Sequence, residues 1–304
     1  MSNVINDIAS RHLGKAGDGT VVKPYVTPDS IDSSLLVAIP RIENRRDYNI
    51  DEDNLPFVGL DVWNAYEVSA LTNSGFPVTG IVKIVYSSDS KFIVESKSLK
   101  LYLNSFNMDK LGDTAHSVQQ QIEFLIREDL SSVLETDVQV KMFTHYQSTE
   151  SPQGFDMYIE DVVDESSLSF DSYNETADLL TYVEGDCHIK VKCGLLRSNC
   201  RVTNQPDWGT LFIEIKGAKT PTYESLLQYI VSMRKENHFH EEIVECIYKR
   251  LYDAMPGVDI LVAALYTRRG GIDINPIRAT QVGMLKSFSN YIDINKISYK
   301  TLNQ

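Results

Sequence analysis

Glu67–Gly80, EVSALTNSGFPVTG, and Ser198–Gly209, SNCRVTNQPDWG, share a Thr-Asn turn and a glycine that leads into a β-branched run. Thr72-Asn73 lies 131 residues before Thr203-Asn204, and Gly80 lies 129 before Gly209. The likeness continues downstream. Glu95-Ser96 stands 129 residues before Glu224-Ser225, and Ile122 and Ile126 stand 125 before Ile247 and Leu251. The order is kept and the offset shrinks only at loops, so the chain reads as an internal duplication. The same offsets set Ser69 against Cys200 and Ala115 against His240.

Each half carries the same elements. VTGIVKIVYS has strand composition, and ESKSLKLYLNSF puts Leu99, Tyr102, Leu103 and Phe106 at helical spacing. TAHSVQQQIEFLIREDL places Val118, Ile122, Leu125 and Ile126 on one side of a second helix, and DVQVKMFTHY alternates as a strand. WGTLFIEIKG, YESLLQYIVSMR, HEEIVECIYKRLYDAM and VDILVAALYT repeat the series. Two strands, two helices and two more strands predict an α+β unit, an antiparallel sheet with helices on one face. The expected organisation is a first module over 1–145, including an N-terminal extension, and a second over 181–304. Between them, residues 146–180 hold many carboxylates, and from Gln147 to Leu180 there is no Lys or Arg, which predicts a solvated linker.

The 304 residues are 42% hydrophobic and 23% charged, an ordinary globular balance. No apolar run approaches the ~20 residues of a membrane span, and the N-terminus MSNVINDIASRHLGKAG lacks the features of a signal peptide. A cytoplasmic protein with no membrane partner is expected. The net charge of −13 argues against holding a nucleic acid along a broad surface. Four cysteines, Cys187, Cys193, Cys200 and Cys246, form no CxxC pair, so each is packing or chemistry.

Cys200 is the odd one, between Asn199 and Arg201 in a polar turn. A neighbouring cation and open turn amides would favour a nucleophilic thiolate. Asp207, just past Pro206, could deliver a proton if burial raised its pKa. A surface thiol and a turn aspartate without a role remain the alternative. In ENHFHEEIVE, Glu241 and Glu242 suit the first turn of a helix, or one of them projects into a pocket. A histidine there could pair with Cys200, or His238 and His240 with a cysteine could bind zinc. Ser96 can cap a helix, with Glu95 just outside it, and Lys97 and Lys100 read as a solvated basic pair. TRRGGIDINP is a hairpin turn or a phosphate contact. No GxGxxG or GxxxxGK[ST] motif is present.

Taken together, these segments resemble the long, two-module form of the NADPH-dependent 7-cyano-7-deazaguanine reductases, the QueF nitrile reductases. Glu95-Ser96-Lys97-Ser98-Leu99-Lys100-Leu101-Tyr102, Cys200 through Trp208-Gly209, and His240-Glu241 carry the likeness, with IPRIENR, DVWNAYE and TRRGGIDINP in support. The resemblance implies two tandem modules of the tunnelling fold, related to GTP cyclohydrolase I. It implies reduction of a free 7-deazapurine nitrile to an amine by two NADPH, on the way to the tRNA base queuosine. It casts Cys200 as the nucleophile that forms a thioimide and Asp207 as the proton donor. Val94, Glu95, Ser96, His240 and Glu241 become substrate contacts, and Ser96, Lys97, Arg269 and Gly270 contacts of the nicotinamide nucleotide. No metal and no direct nucleic-acid contact are implied, and a homodimer is expected. One pocket per chain is expected, shared between the modules, with Cys187, Cys193 and Cys246 left to packing. The rival readings are a zinc hydrolase of the cyclohydrolase type and a cysteine-dependent nitrile hydrolase.

Overall fold

The computed structural model describes residues 28, 30–145, 149–202, 204–301 and 304. The N-terminal segment read above for targeting, and Thr203 of the duplicated turn, lie outside the described residues.

A short strand β1 (Ala38–Pro40) pairs antiparallel with β4 (Phe92–Val94). Between them run β2 (Val58–Leu71) and β3 (Pro77–Ser87); after β4 come α1 (Ser96–Asn104), α2 (Ala115–Leu134) and β5 (Val138–Phe143). The second series is β6 (Tyr182–Cys200), β7 (Pro206–Pro221), α3 (Tyr223–Ser232), β8 (Asn237–His238), α4 (His240–Ala254), β9 (Asp259–Tyr266) and β10 (Ile272–Ala279). All but β1 and β4 join one eight-stranded sheet in the order β5-β3-β2-β10-β9-β7-β6-β8. The modules therefore share a sheet, sewn together where β10 pairs antiparallel with β2 from Ile272↔Ala65 to Ala279↔Val58. The first module shows only one strand after its helices among the described residues, where the repeat predicts two.

The helical stripes read from the sequence are the core contacts. Leu99, Tyr102, Leu103 and Phe106 of the α1 region, and Val118, Ile122 and Ile126 of α2, are buried against Trp63, Ala65, Val82 and Ile84. In the second module α3 and α4 bury Leu226, Ile230, Ile243 and Ile247 against Ile213, Val262 and Ala264. Register links the two cores: Trp63 faces Ile274, and Arg278 faces Val262. Paired residues share a face, so all four helices lie on one face of the sheet. The other face is closed by Phe155, Leu285, Phe288 and Tyr291.

The acidic segment is not a solvated linker. Phe155, Ile159, Val163 and Leu180 are buried, and Glu175 receives Arg250 at 3.1 Å. Its apolar residues are spaced among carboxylates without a period, so the charge hid a packed strap. Cys193 and Cys246 are core residues whose thiols burial pushes up, Cys246 to about 12. Cys187 departs from the packing expectation: it is only half-buried, near a bulge in β6, with its thiol toward the Gly185 carbonyl.

Candidate active site

Cys200 ends β6, and its backbone N–H donates to Gln205 O at 2.8 Å to close the β6–β7 hairpin. Ser198 faces Asp207 across the ladder. Two residues along a strand return to the same face, so Cys200 and Asp207 are diagonal neighbours on the helix face, about 7 Å apart. On its other side β6 meets β8 in parallel, with Cys200 opposite His238. The half-buried thiol thus stands between the aspartate strand and the chain entering α4.

Asp207 is buried, and its carboxylate is held twice. Arg269 Nε lies 2.8 Å from Oδ1, and His240 Nε2 lies 3.4 Å from Oδ2. Arg269 also donates to Gln205 Oε1 at 3.0 Å, which ties the β9–β10 turn to the hairpin end. The His240 ring stacks on Tyr266 at 3.8 Å between centroids and 5° between planes. Gly209 makes room for this stack, because a Cβ there would meet the Tyr266 ring at 3.1 Å.

His240 and Glu241 open α4, and both are buried. Burial, with Asp61 adding repulsion, pushes the Glu241 carboxyl up to about 8, against the pull of Arg41 and Arg278. Beneath it a buried ion network joins the modules. Arg41 and Arg278 hold Asp61 at 2.5 and 2.8 Å, and Arg45 and Arg278 hold Glu245 at 2.9 Å. Among the described residues, Glu241 Oε1 and His240 Nδ1 are buried without a hydrogen-bond partner. Buried polar atoms are rarely left so, and adjacent ones at a helix start fit a ligand that supplies the missing partners.

The first module closes this corner. Phe239 packs on Ile39 and Ile93 of the β1–β4 pair and on Val37 just before β1. Tyr86 is buried and its phenol pushed well up by that burial, then by Asp61 and Glu241, while the Val94 backbone acts on the same group in the opposite sense. Val94 therefore neighbours the Glu241 corner. Glu95, rather than Ser96, is the N-cap of α1: its carboxylate accepts from Lys97 N at 3.0 Å and Ser98 N at 2.7 Å. Two carboxylate oxygens reach two orphan amides where one hydroxyl reaches one, and burial raises the Glu95 pKa. Ser96 is half-buried and Lys97 exposed on the first turn of α1.

One turn further on, Lys100 lies against Gly270, where a Cβ would stand 2.6 Å from its Nζ. Gly270 and Gly271 adopt φ of 56° and 80°, which suits residues without a Cβ. Lys97, Lys100 and Arg269 thus form a basic edge across the module seam of an acidic chain. That donor set fits the phosphates of a nucleotide.

The structure brings Cys200, Asp207, His240, Glu241 and Arg269 together and carries Val94 to Lys97 to the same seam. Tyr266, Arg41, Tyr86 and Asp61 were missed. Arg41 stood in the quoted IPRIENR and Asp61 in the quoted DVWNAYE without a role, and Tyr266 and Tyr86 carry no local signal. Among the described residues no three His, Cys, Asp or Glu side chains gather as a metal-ligand set.

Strand register also corrects the alignment of the halves. Leu71 faces Pro77 as Asn199 faces Pro206, and Thr72 N–H donates to Phe76 O as Cys200 N–H donates to Gln205 O. Thr72, not Ser69, is therefore the counterpart of Cys200, and Val78 that of Asp207. Capping makes Thr222 the counterpart of Glu95, since each caps its helix and receives the amide three residues on, Ser225 and Ser98. Glu224 lies within the first turn instead. Ala115 and His240 keep their match, each opening its helix.

Comparison with known proteins agrees. The family described as nitrile reductase, 7-cyano-7-deazaguanine-reductase N-term, matches residues 27–142, and the QueF-like protein family matches 206–283. The chain is 40% identical over 255 residues to the NADPH-dependent 7-cyano-7-deazaguanine reductase of Rickettsia massiliae (strain Mtu5), covering 83% of this chain and 89% of that one. With both halves matched and the seam between them built as described, the chain belongs to the QueF family of 7-cyano-7-deazaguanine reductases.

Proposed function

We propose that this protein reduces the nitrile of 7-cyano-7-deazaguanine to the primary amine with NADPH, through a thioimide on Cys200. The observation that carries the reading is the seam itself. A half-buried thiol and a buried aspartate share one face beside two unpartnered buried polar atoms, His240 Nδ1 and Glu241 Oε1.

Cys200 adds through sulfur to the nitrile carbon, one C≡N π bond opens, and the thiol's proton passes by way of the Asp207 carboxylate to the nitrogen. Arg269 and His240 hold the Asp207 carboxylate toward that nitrogen throughout. Two NADPH molecules, bound in turn, would each supply one of the two hydrides that reduction of a nitrile to an amine requires, with the accompanying protons drawn from solvent; Ser96, Lys97, Arg269 and Gly270 would hold each of them. After the first reduction the C–S bond breaks, returning Cys200, and the product leaves as the amine after the second. Glu241 accepts ring N–H groups of the deazapurine, with Val94, Glu95, Ser96 and His240 completing the contacts. The covering β1–β4 pair keeps water from the thioimide, which would otherwise hydrolyse.

The free base suits a chain of net charge −13, which has no need to hold tRNA. We place the enzyme in the cytoplasm as a homodimer on the queuosine route. No helix among the described residues is long and apolar enough to cross a membrane.

The test is to mix protein with 7-cyano-7-deazaguanine, weigh the intact adduct, then add NADPH and follow its oxidation and the product. The expected result is an adduct on Cys200 and an amine, with Asp207→Asn slowing turnover by about 10²- to 10⁴-fold. Release of a carboxylic acid, or no adduct and no NADPH consumption from folded protein, would refute the reading.

A further inference from the structure

Four contacts converge on one carboxylate beside the nucleophile. Both oxygens of Glu242 accept from Arg201 Nη1 at 2.9 Å. Its Oε2 also accepts the Phe239 N–H at 2.9 Å and lies 3.2 Å from His238 Nδ1. Arg201 is the residue after Cys200, and Phe239 is the residue before His240. One side chain therefore joins the loop bearing the nucleophile to the helix start bearing the substrate contacts.

His238, opposite Cys200 across the parallel pair, completes the cluster. Its Nε2 meets Glu236 Oε2 at 3.2 Å and Tyr48 Oη at 3.0 Å. Burial disfavours the charged ring, yet the hydrogen bonds to Glu236 and Glu242 outweigh it and lift the pKa to about 9. At neutral pH Glu242 thus faces two cations, and both it and Arg201 are largely removed from water. Charge-assisted bonds in such surroundings hold geometry tightly.

Helix capping alone does not account for Glu242. The matching position in the first module is Ser117, which caps α2 reciprocally with Thr114 and needs no charge. In the second module the cap residue carries a charge, and that charge is spent on Arg201.

We propose that Glu242 is a positioning residue: by clamping Arg201 it sets Cys200 at the distance from His240 and Glu241 that thioimide formation needs. The inference rests on the proposed reaction. Glu242→Gln keeps an oxygen for the Phe239 amide but loses the charge. Arg201→Met releases the loop and leaves the α4 cap intact, so it serves if the first variant folds poorly.

The measurements are the rate of Cys200 adduct formation at saturating nitrile, the nitrile concentration for half-saturation, and hydrogen exchange at the Cys200 and Asn204 amides. Those amides bond to Gln205 O and Cys200 O and report the loop itself. Each single variant should slow the saturated rate about 10-fold or more, because a misplacement of about 1 Å is costly. Half-saturation should move less than about 3-fold. The double variant should be no worse than a single one by more than about 2-fold, since both break the same link. Exchange at Cys200 and Asn204 should quicken while Ile247 to Leu251 stays protected. Unchanged rates and exchange in both singles, or losses that multiply in the double, would overturn the proposal. If wild-type protein forms no adduct, the proposed reaction falls. Exchange then decides the clamp alone: faster loop exchange in both variants upholds it, and unchanged exchange removes it.

Discussion

At the end of the β2–β3 hairpin, Thr72 N–H donates to Phe76 O; at the end of β6–β7, Cys200 N–H donates to Gln205 O. The closures match, but the side chains do different work. Thr72 Oγ1 accepts the Phe76 N–H at 3.0 Å and bonds Ser74 Oγ at 2.9 Å, so it is consumed in holding the turn. The second turn is one residue longer. Both turns carry a matching backbone bond, Gly75 N–H to Thr72 O in the first and Asn204 N–H to Cys200 O in the second, with Gly75 at φ 90° and Asn204 at φ 55°. The shared backbone bonds close the second turn without a side-chain oxygen at the closing position, so a thiol can occupy it. The helix starts differ in the same sense. Ala115 and His116 are exposed at the start of α2, whereas His240 and Glu241 are buried at the start of α4. The β1–β4 pair of the first module covers the second, and the covered corner is where the unpartnered polar atoms lie.

The largest effect is expected from making the second hairpin resemble the first. Cys200→Thr should abolish the adduct and NADPH oxidation outright, since no nucleophile of that strength remains. Stability should hold within about 1 kcal/mol, because the site is only half-buried and the first hairpin closes around a threonine. Intact mass, turnover and thermal unfolding check this. A variant that kept turnover would end the assignment of Cys200.

Next in size is the covered helix start. Glu241 has its folded pKa raised to about 8 by burial and then Asp61, against an ordinary value of 4.5. The folded state therefore binds more protons than the unfolded one between those values. The cost of keeping Glu241 buried is absent below about pH 4.5 and grows by up to about 1.4 kcal/mol per pH unit toward pH 8. Glu241→Gln should thus gain stability relative to wild type from pH 5 to pH 8, while nitrile binding weakens about 10-fold or more because one of the two carboxyl oxygens at the corner is lost. Denaturant titrations at both pH values check the first part. A stability difference that stays flat with pH would show that Glu241 is ionised in the free protein. His116→Gln at the exposed start of α2 should change neither quantity.

How much of this was legible in the sequence depends on what each residue contacts. The apolar stripes of α1 and α2 are local properties, and they held; the oddness of Cys200 among Asn199 and Arg201 is local as well. The match of Ser69 with Cys200 failed because it followed the repeated Thr-Asn letters. Bulges near Ala65–Val68 in β2 and Cys193–Leu196 in β6, and turns of unequal length, shift register without marking the sequence. The Glu95–Glu224 match failed likewise, since letters do not show which helix amides are open. Tyr266, Tyr86 and Asp61 reach the site only through pairing of distant strands, which composition and periodicity cannot show.

The smallest effect tests the comparison from the other side. Thr72→Cys in a Cys200→Ala background places a thiol at the matching position of the first hairpin. The substitution removes the oxygen that receives the Phe76 amide, at a cost of about 1 kcal/mol. The new thiol is buried, has Val78 where the second module has Asp207, and has Ala115 in place of His240. It should therefore form no adduct with the nitrile and restore no turnover, although it sits at the same point of the same fold. If an adduct did form on the introduced thiol, a cysteine in this hairpin would be sufficient. Asp207, His240, Glu241 and the covered seam would then lose their claim to the chemistry. If none forms, the duplicated scaffold supplies the position, and the surroundings of the second hairpin alone supply the reactivity.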